Sequence, residues 1–234
     1  MTDPVWRCHD EPADFAEAVA SDVAAAITRA VTRRGRSLLA VPGGSTPRPI
    51  FRRLVEAPLP WEAVTLIPTD DRLVDADSPL SNARLIEESF AGTGARVVRI
   101  ASDQPDVSRA AKAANASLDA LPWPSDLVWL GMGEDGHTAS IFAGPDLKKA
   151  LDAPADQRAS GVRPDPLPPE APVPRVTLTK ASILAADMLL ITITGDRKRA
   201  LLERALADGQ HSTVPIGRVL ADRDRSLTIH WSRA

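Results

Sequence analysis

The sequence predicts an α/β fold built on a mostly parallel sheet with helices on both faces, and three observations predict it. Short apolar runs alternate with stretches of helical period, the pattern of βαβ units. The run at 188–194 is strongly apolar rather than alternating, as a strand covered on both faces is. The runs end in glycine-rich or polar turns, and ligands of open α/β sheets bind at the carboxyl ends of strands.

Residues 12–34 open with Pro12 and place Phe15, Val19, Val23, Ile27 and Val31 four apart, an amphipathic helix. Residues 37–41 form a strand that runs into Pro42-Gly43-Gly44-Ser45-Thr46-Pro47, from which a helix extends to about Val55. Residues 64–68 are the next strand, ending at Thr69-Asp70-Asp71-Arg72. Residues 79–90 read as a helix capped by Ser78, 96–100 as a strand, and 105–121 as a helix with Val107, Ala110, Ala114 and Leu118 on one face. Residues 127–131 form an apolar strand after the break at Trp123-Pro124. The proline-rich stretch at about 152–174 is expected as a surface loop within one domain covering 1–234. Strands at 175–179, 188–194 and 227–231, a helical turn at 180–186 and a helix at 196–207 complete the chain.

The chain has 234 residues and a formal charge of −3, which argues against general nucleic-acid binding. Its single cysteine, Cys8, excludes an intramolecular disulfide and a cysteine-cluster metal site. No run is apolar enough for a membrane span, and Asp3, Arg7, His9, Asp10 and Glu11 interrupt any signal-peptide core. A cytoplasmic protein without a membrane partner is the expectation.

Four polar clusters sit at expected carboxyl ends of strands. Gly43-Gly44-Ser45-Thr46 before a helix reads either as an anion site made of backbone N–H groups or as a simple N-cap turn. It lacks the Gly-Lys-Thr ending of a Walker loop. Asp70-Asp71-Arg72 sets two carboxylates side by side, which calls for a cation, a proton or a ligand; solvated charges on a turn are the plainer reading. Gly131-Met-Gly-Glu-Asp-Gly-His137 delivers an imidazole, able to move a proton near neutral pH, on a sharp turn. Arg175 begins a strand, and Lys198 stands in the first turn of a helix, where a cation opposes the helix dipole unless an anion is near. Arg197 and Arg199 read as solvated. Together the clusters describe a pocket for a small phosphorylated molecule with one proton-transfer group. The spacing of His9, His137, His211 and His230 fits no zinc site, and general-base activation of water is the simplest chemistry.

Val41-Pro-Gly-Gly-Ser-Thr-Pro47, Asp70-Asp-Arg-Leu-Val74, Gly131-x-Gly-x-Asp-Gly-His-Thr-Ala-Ser140, Arg175-Val-Thr-Leu-Thr179 and Thr194-Gly-Asp-Arg-Lys198 stand in the order seen in the 6-phosphogluconolactonases, and the chain resembles that family from about Phe15 to Trp231. The resemblance implies a three-layer α/β/α, Rossmann-like fold related to glucosamine-6-phosphate deaminase. It implies hydrolysis of 6-phospho-D-glucono-1,5-lactone in the oxidative pentose phosphate pathway, with no cofactor and no metal. By position, His137 would be the general base and Asp135 would orient it or fix its turn. Gly43, Gly44, Ser45, Arg175 and Lys198 would hold the phosphate, and Asp70 and Arg72 would line the sugar-phosphate pocket. The partner expected is the phosphorylated lactone, for a monomer or weak homodimer. One departure stands out: the family usually has Asp-Glu-Arg where this chain has Asp70-Asp71-Arg72, so the resemblance gives Asp71 no role. A guanidinium at 72 is expected to pair with Asp70, Asp71 or the substrate. Two other functions compete. A glucosamine-6-phosphate deaminase would use Asp70 as a carbon base, but that family usually carries Asp-Glu-Tyr here, and this chain has no tyrosine. A non-catalytic sugar-phosphate sensor would keep the cations and have no need of His137.

Overall fold

The structure, a computed structural model, describes residues 3–101 and 106–233. Seven strands form one sheet: β1 (Val5–His9), β2 (Ser37–Val41), β3 (Val64–Pro68), β5 (Arg96–Val97), β6 (Leu127–Gly131), β9 (Met188–Thr194) and β10 (Leu227–Ser232). Their order is β1-β10-β9-β6-β2-β3-β5, and every neighbouring pair is parallel. The two-residue period of the central strands divides the core. Leu39, Val41, Leu127, Trp129 and Leu190 pack against α1 (Pro12–Arg34) and α2 (Pro47–Val55). Leu38, Ala40, Val128, Leu130, Leu189 and Ile191 face the opposite layer, with α4 (Val107–Asp119), α7 (Asp196–Asp208) and α8 (Pro215–Leu220). The expected parallel sheet with helices on both sides is what the chain forms.

From β2 the chain adds β3 and β5 outward on one side, then returns to place β6, β9 and β10 on the other. The loops that follow β2 and β6 therefore diverge, and a crevice opens between the carboxyl ends of those two strands. A second, antiparallel sheet of β4 (Asp70–Arg72), β8 (Arg175–Leu178) and β7 (Ala159–Val162) follows directly on the end of β3.

Several boundaries differ from expectation. Ser81, not Ser78, caps the helix expected at 79–90, its side chain accepting from Arg84 N at 3.2 Å, so α3 covers Asn82–Ser89. Ser78 instead accepts from Leu80 N in the preceding turn. Only Arg96–Val97 of the expected strand 96–100 pairs as β5. Asp106 caps α4, and Pro105, the expected start of that helix, lies outside the described residues. The stretch 152–174 is not all loop: it contains β7, which pairs along β8 and whose Ala159 and Val162 are buried. The prolines on both sides of that strand disguise it. The expected strand 175–179 belongs to this small antiparallel sheet rather than to the main one. β1, α5 (Leu147–Leu151) and α8 were not anticipated. β1 is an edge strand with a largely exposed pattern and no clean alternation.

The underside of α1 is tied to β10 by a buried polar chain. His230 is fully buried and its Nε2 donates to Asp22 Oδ2 at 3.0 Å, while His9 Nε2 lies 3.1 Å from its Nδ1. Burial pushes the His230 pKa from its ordinary 6.5 down to about 4, with Asp22 opposing the drop. Between those values the unfolded chain holds more protons than the folded one, so the stability is present above pH 6.5 and is lost as pH falls toward 4. In calorimetric melts, wild-type Tm should therefore fall over this window, and the gap between wild type and a His230→Asn variant should narrow. A constant gap across the window would contradict this account.

Candidate active site

The crevice at the ends of β2, β6 and β9 is a cleft of about 230 Å³. Gly43, Gly44, Ser45, Asp70, Arg72, His137, Arg175 and Lys198 all line it. Asp135 does not form its wall; it reaches the cleft through His137.

The β2 turn provides a backbone wall. Gly44 has φ +93°, and a Cβ on Gly43 would fall 1.9 Å from the Asn82 side chain, so the first glycine permits that close approach. The N-cap of α2 is Thr46, and it makes no side-chain cap hydrogen bond. The turn therefore lacks the side-chain cap of the plainer reading; Pro47 and Pro49 leave the first turn of α2 few N–H groups, and Arg48 N donates to Ser45 O at 3.3 Å.

Thr69 and β4 form the next wall, and its two carboxylates part ways. Asp71 is buried and accepts from the backbone N–H groups of Asn82 and Ala83 at 2.7 and 3.0 Å, from Arg72 N at 2.8 Å and from the Ser81 hydroxyl at 3.2 Å. It caps α3 from a distance. Burial pushes its carboxyl up, the backbone donors pulling the other way. Asp70 instead lines the cleft, accepting from the Ser140 hydroxyl at 2.5 Å and from Thr69 Oγ1 at 3.3 Å. Arg72 makes no ion pair with either carboxylate; its Nη1 donates to Leu80 O at 2.8 Å and Asn82 Oδ1 at 3.2 Å. The α3 N-terminus has claimed Asp71, which leaves the Arg72 charge for the cleft.

β4 and β8 pair so that Arg72 stands directly opposite Arg175. Like charges in that relation repel. Arg175 is only 2% exposed, and among the described residues its guanidinium makes one hydrogen bond, from Nη2 to Ala171 O at 3.1 Å. Burial lowers its pKa, with Asp70 opposing and Arg72 adding to the drop. The buried Nε of both arginines has no hydrogen-bond partner among the described residues. An unpaired buried donor is unfavourable, and two guanidinium groups lining one cleft suit an anionic ligand there. Lys198, in the first turn of α7, lies across the cleft with Glu134 Oε1 3.7 Å from its ammonium.

His137 is placed by a tight loop after β6. Gly133 N donates to His137 O at 2.9 Å and Gly136 N to Gly133 O at 3.1 Å. A Cβ on Gly133 would lie 2.2 Å from the imidazole, and one on Gly136 would strike Val214 at 2.6 Å. Asp135 Oδ1 accepts from His137 Nδ1 at 2.5 Å and from its backbone N at 3.1 Å. Burial acts to raise the Asp135 pKa, but the hydrogen bonds and charge of His137 outweigh it and hold the carboxyl below its usual range. Because a carboxylate only accepts, the proton sits on Nδ1 and Nε2 carries the free lone pair.

Three residues that bear on the site were given no role by the sequence reading. Asn82 lines the cleft, holds Arg72 and donates from Nδ2 to Asp70 O at 2.7 Å. Glu170 lines the cleft from the proline-rich stretch. Ser140, noted only as part of a motif, holds Asp70. Asn82 and Glu170 come from segments without glycine patterning of their own, and the contact of Ser140 with Asp70 joins segments 70 residues apart. No group of three or more acidic, histidine or cysteine side chains among the described residues is placed to hold a metal. No helix among them is long and apolar enough to cross a membrane.

Residues 10–231 match the model of the family described as glucosamine-6-phosphate isomerases/6-phosphogluconolactonase. The chain belongs to that family. A 6-phosphogluconolactonase of Mesorhizobium japonicum is 37% identical over 97% of this chain and 94% of its own length. The crystal structure of a 6-phosphogluconolactonase from Shewanella baltica superposes with a TM-score of 0.88 at 32% identity, covering 99% of this chain and 98% of that one. A monomeric glucosamine-6-phosphate deaminase shares the fold, with a TM-score of 0.77 at 18% identity over 98% of this chain and 97% of its own.

Proposed function

We propose that the chain hydrolyses 6-phospho-D-glucono-1,5-lactone to 6-phosphogluconate, the lactone-opening step of the oxidative pentose phosphate pathway. The observation that carries this reading is the Asp135–His137 pair, 2.5 Å apart, set on the same cleft as two facing arginines with unpaired buried donors. The near relatives of Mesorhizobium and Shewanella bear the lactonase name and cover nearly the whole chain. In this mechanism Gly43, Gly44, Ser45, Arg175 and Lys198 hold the phosphate, and Arg72 and Asp70 line the sugar-phosphate pocket. His137 Nε2 takes a proton from water as the water oxygen attacks the lactone carbonyl carbon. Asp135 fixes the tautomer and supports the imidazolium that forms. The C1–O5 bond then breaks, and the imidazolium returns its proton to the ring oxygen. The product carboxyl ionises, so each turnover releases one proton to solution.

Proton release in a pH-stat, with a chelator present throughout, tests this directly. Opening well above the uncatalysed rate is expected. A chain that binds 6-phosphogluconate but leaves the lactone at its spontaneous rate would be a sensor, not an enzyme.

A further inference from the structure

Phe142 has no part in the mechanism above and is not on the cleft wall, yet its ring touches two groups that the mechanism uses. The His137 imidazole stacks on it, ring centroids 4.1 Å apart and planes inclined at 26°. The Arg175 guanidinium carbon lies 5.0 Å from the centroid of the same ring. The loop is shaped to bring this about. Ile141 N donates to Thr138 O at 2.9 Å, and Ala139 takes the left-handed conformation at φ 48°, so the chain reverses just after His137. Ile141 is anchored in the core at 1% exposure, and Phe142 follows it, partly buried, against the imidazole. His137 and Arg175 come from segments far apart in sequence, and neither touches the other through a hydrogen bond. Asp135 holds one edge of the imidazole, but one hydrogen bond leaves the ring free to turn about that axis; a stacked aromatic face fixes the plane. The Arg175 guanidinium makes a single hydrogen bond among the described residues, from Nη2, and the aromatic face supports the rest of it.

We propose that Phe142 is a positioning residue that sets the plane of the His137 base and the place of the Arg175 guanidinium together, coupling the proton-transfer group to the anion-binding group through one ring. The inference rests on the lactonase reading. A mispositioned base loses about ten- to a hundred-fold in rate, and a phosphate contact that is no longer held loses about ten-fold in affinity.

The test compares wild type, Phe142→Leu and Phe142→Tyr for kcat of lactone opening, Kd of 6-phosphogluconate and Tm. The leucine variant should lose about ten- to a hundred-fold in kcat and bind product about ten-fold more weakly. The tyrosine variant, which keeps the ring, should recover most of both. A leucine variant with lowered Tm but unchanged kcat and Kd would make Phe142 a space-filling residue and overturn the proposal. A change in only one of the two would overturn the coupling. In case the leucine variant does not fold, NMR of the wild type gives a separate answer: nuclear Overhauser contacts between the Phe142 and His137 rings are expected, and their absence would refute the stacking. A wild type that does not accelerate lactone opening overturns the functional reading itself, whereas an active wild type beside an equally active leucine variant overturns only the role of Phe142.

Discussion

His137→Ala should lower kcat for lactone opening by about a hundred- to ten-thousand-fold, the usual contribution of a positioned general base. Affinity for 6-phosphogluconate should stay near wild type, because the imidazole is not among the cations proposed to hold the phosphate. The variant should fold, since the loop around position 137 is closed by backbone bonds, Gly133 N on His137 O and Gly136 N on Gly133 O, and is tied to α8 by Ile216 N on Gly136 O. Stopped-flow or pH-stat rates, corrected for spontaneous opening, give kcat, and calorimetry with product gives Kd. A kcat close to wild type would remove His137 from the mechanism. A loss of affinity that matches the loss of rate would make it a binding group rather than a base.

Arg175→Ala and Lys198→Ala should each weaken 6-phosphogluconate by about ten- to a hundred-fold, as expected for a charge-assisted hydrogen bond worth about 1.5–3 kcal/mol. The two should differ in stability. Lys198 sits at the cleft mouth beside Glu134, and its loss should leave Tm nearly unchanged. Arg175 is buried, so its loss removes packing against Phe142, but it also relieves the repulsion from Arg72 across the β4–β8 pair. A large binding defect with a modest Tm change is therefore expected of Arg175→Ala. Wild-type affinity in both variants would place the phosphate elsewhere.

The glycine turns, Asp70 and His137 were legible in the sequence because each follows a strand whose apolar run is plain. β2, β3, β6 and β9 are nearly uniform runs, and Gly43, Asp70 and Gly133 follow them within a few positions. The pairings across the cleft were not legible. That Arg72 opposes Arg175 depends on an antiparallel register between segments about a hundred residues apart, which no local pattern encodes. The same holds for Asp71. Arg72 was expected to pair with Asp70, Asp71 or the substrate, but the N-terminus of α3, ten residues on, offers Asp71 two backbone donors instead. β7 was hidden by its prolines, and β1 by its exposure at the sheet edge. Asn82 and Phe142 matter only through what the fold brings beside them.

The claim at the centre of this account is hydrolysis led by His137, not carbon-proton transfer led by Asp70. The deaminase fold is shared, and Asp70 lines the same cleft. Asp70 Oδ2, however, already accepts from the Ser140 hydroxyl at 2.5 Å, whereas His137 Nε2 carries a free lone pair on the same cleft. Position 72 carries a guanidinium. The direct measurement sets the two reactions side by side on one preparation: acid release from 6-phosphogluconolactone and ammonia release from glucosamine 6-phosphate. Rapid lactone opening with no ammonia above background is the result expected; ammonia released at a rate comparable to lactone opening would contradict it.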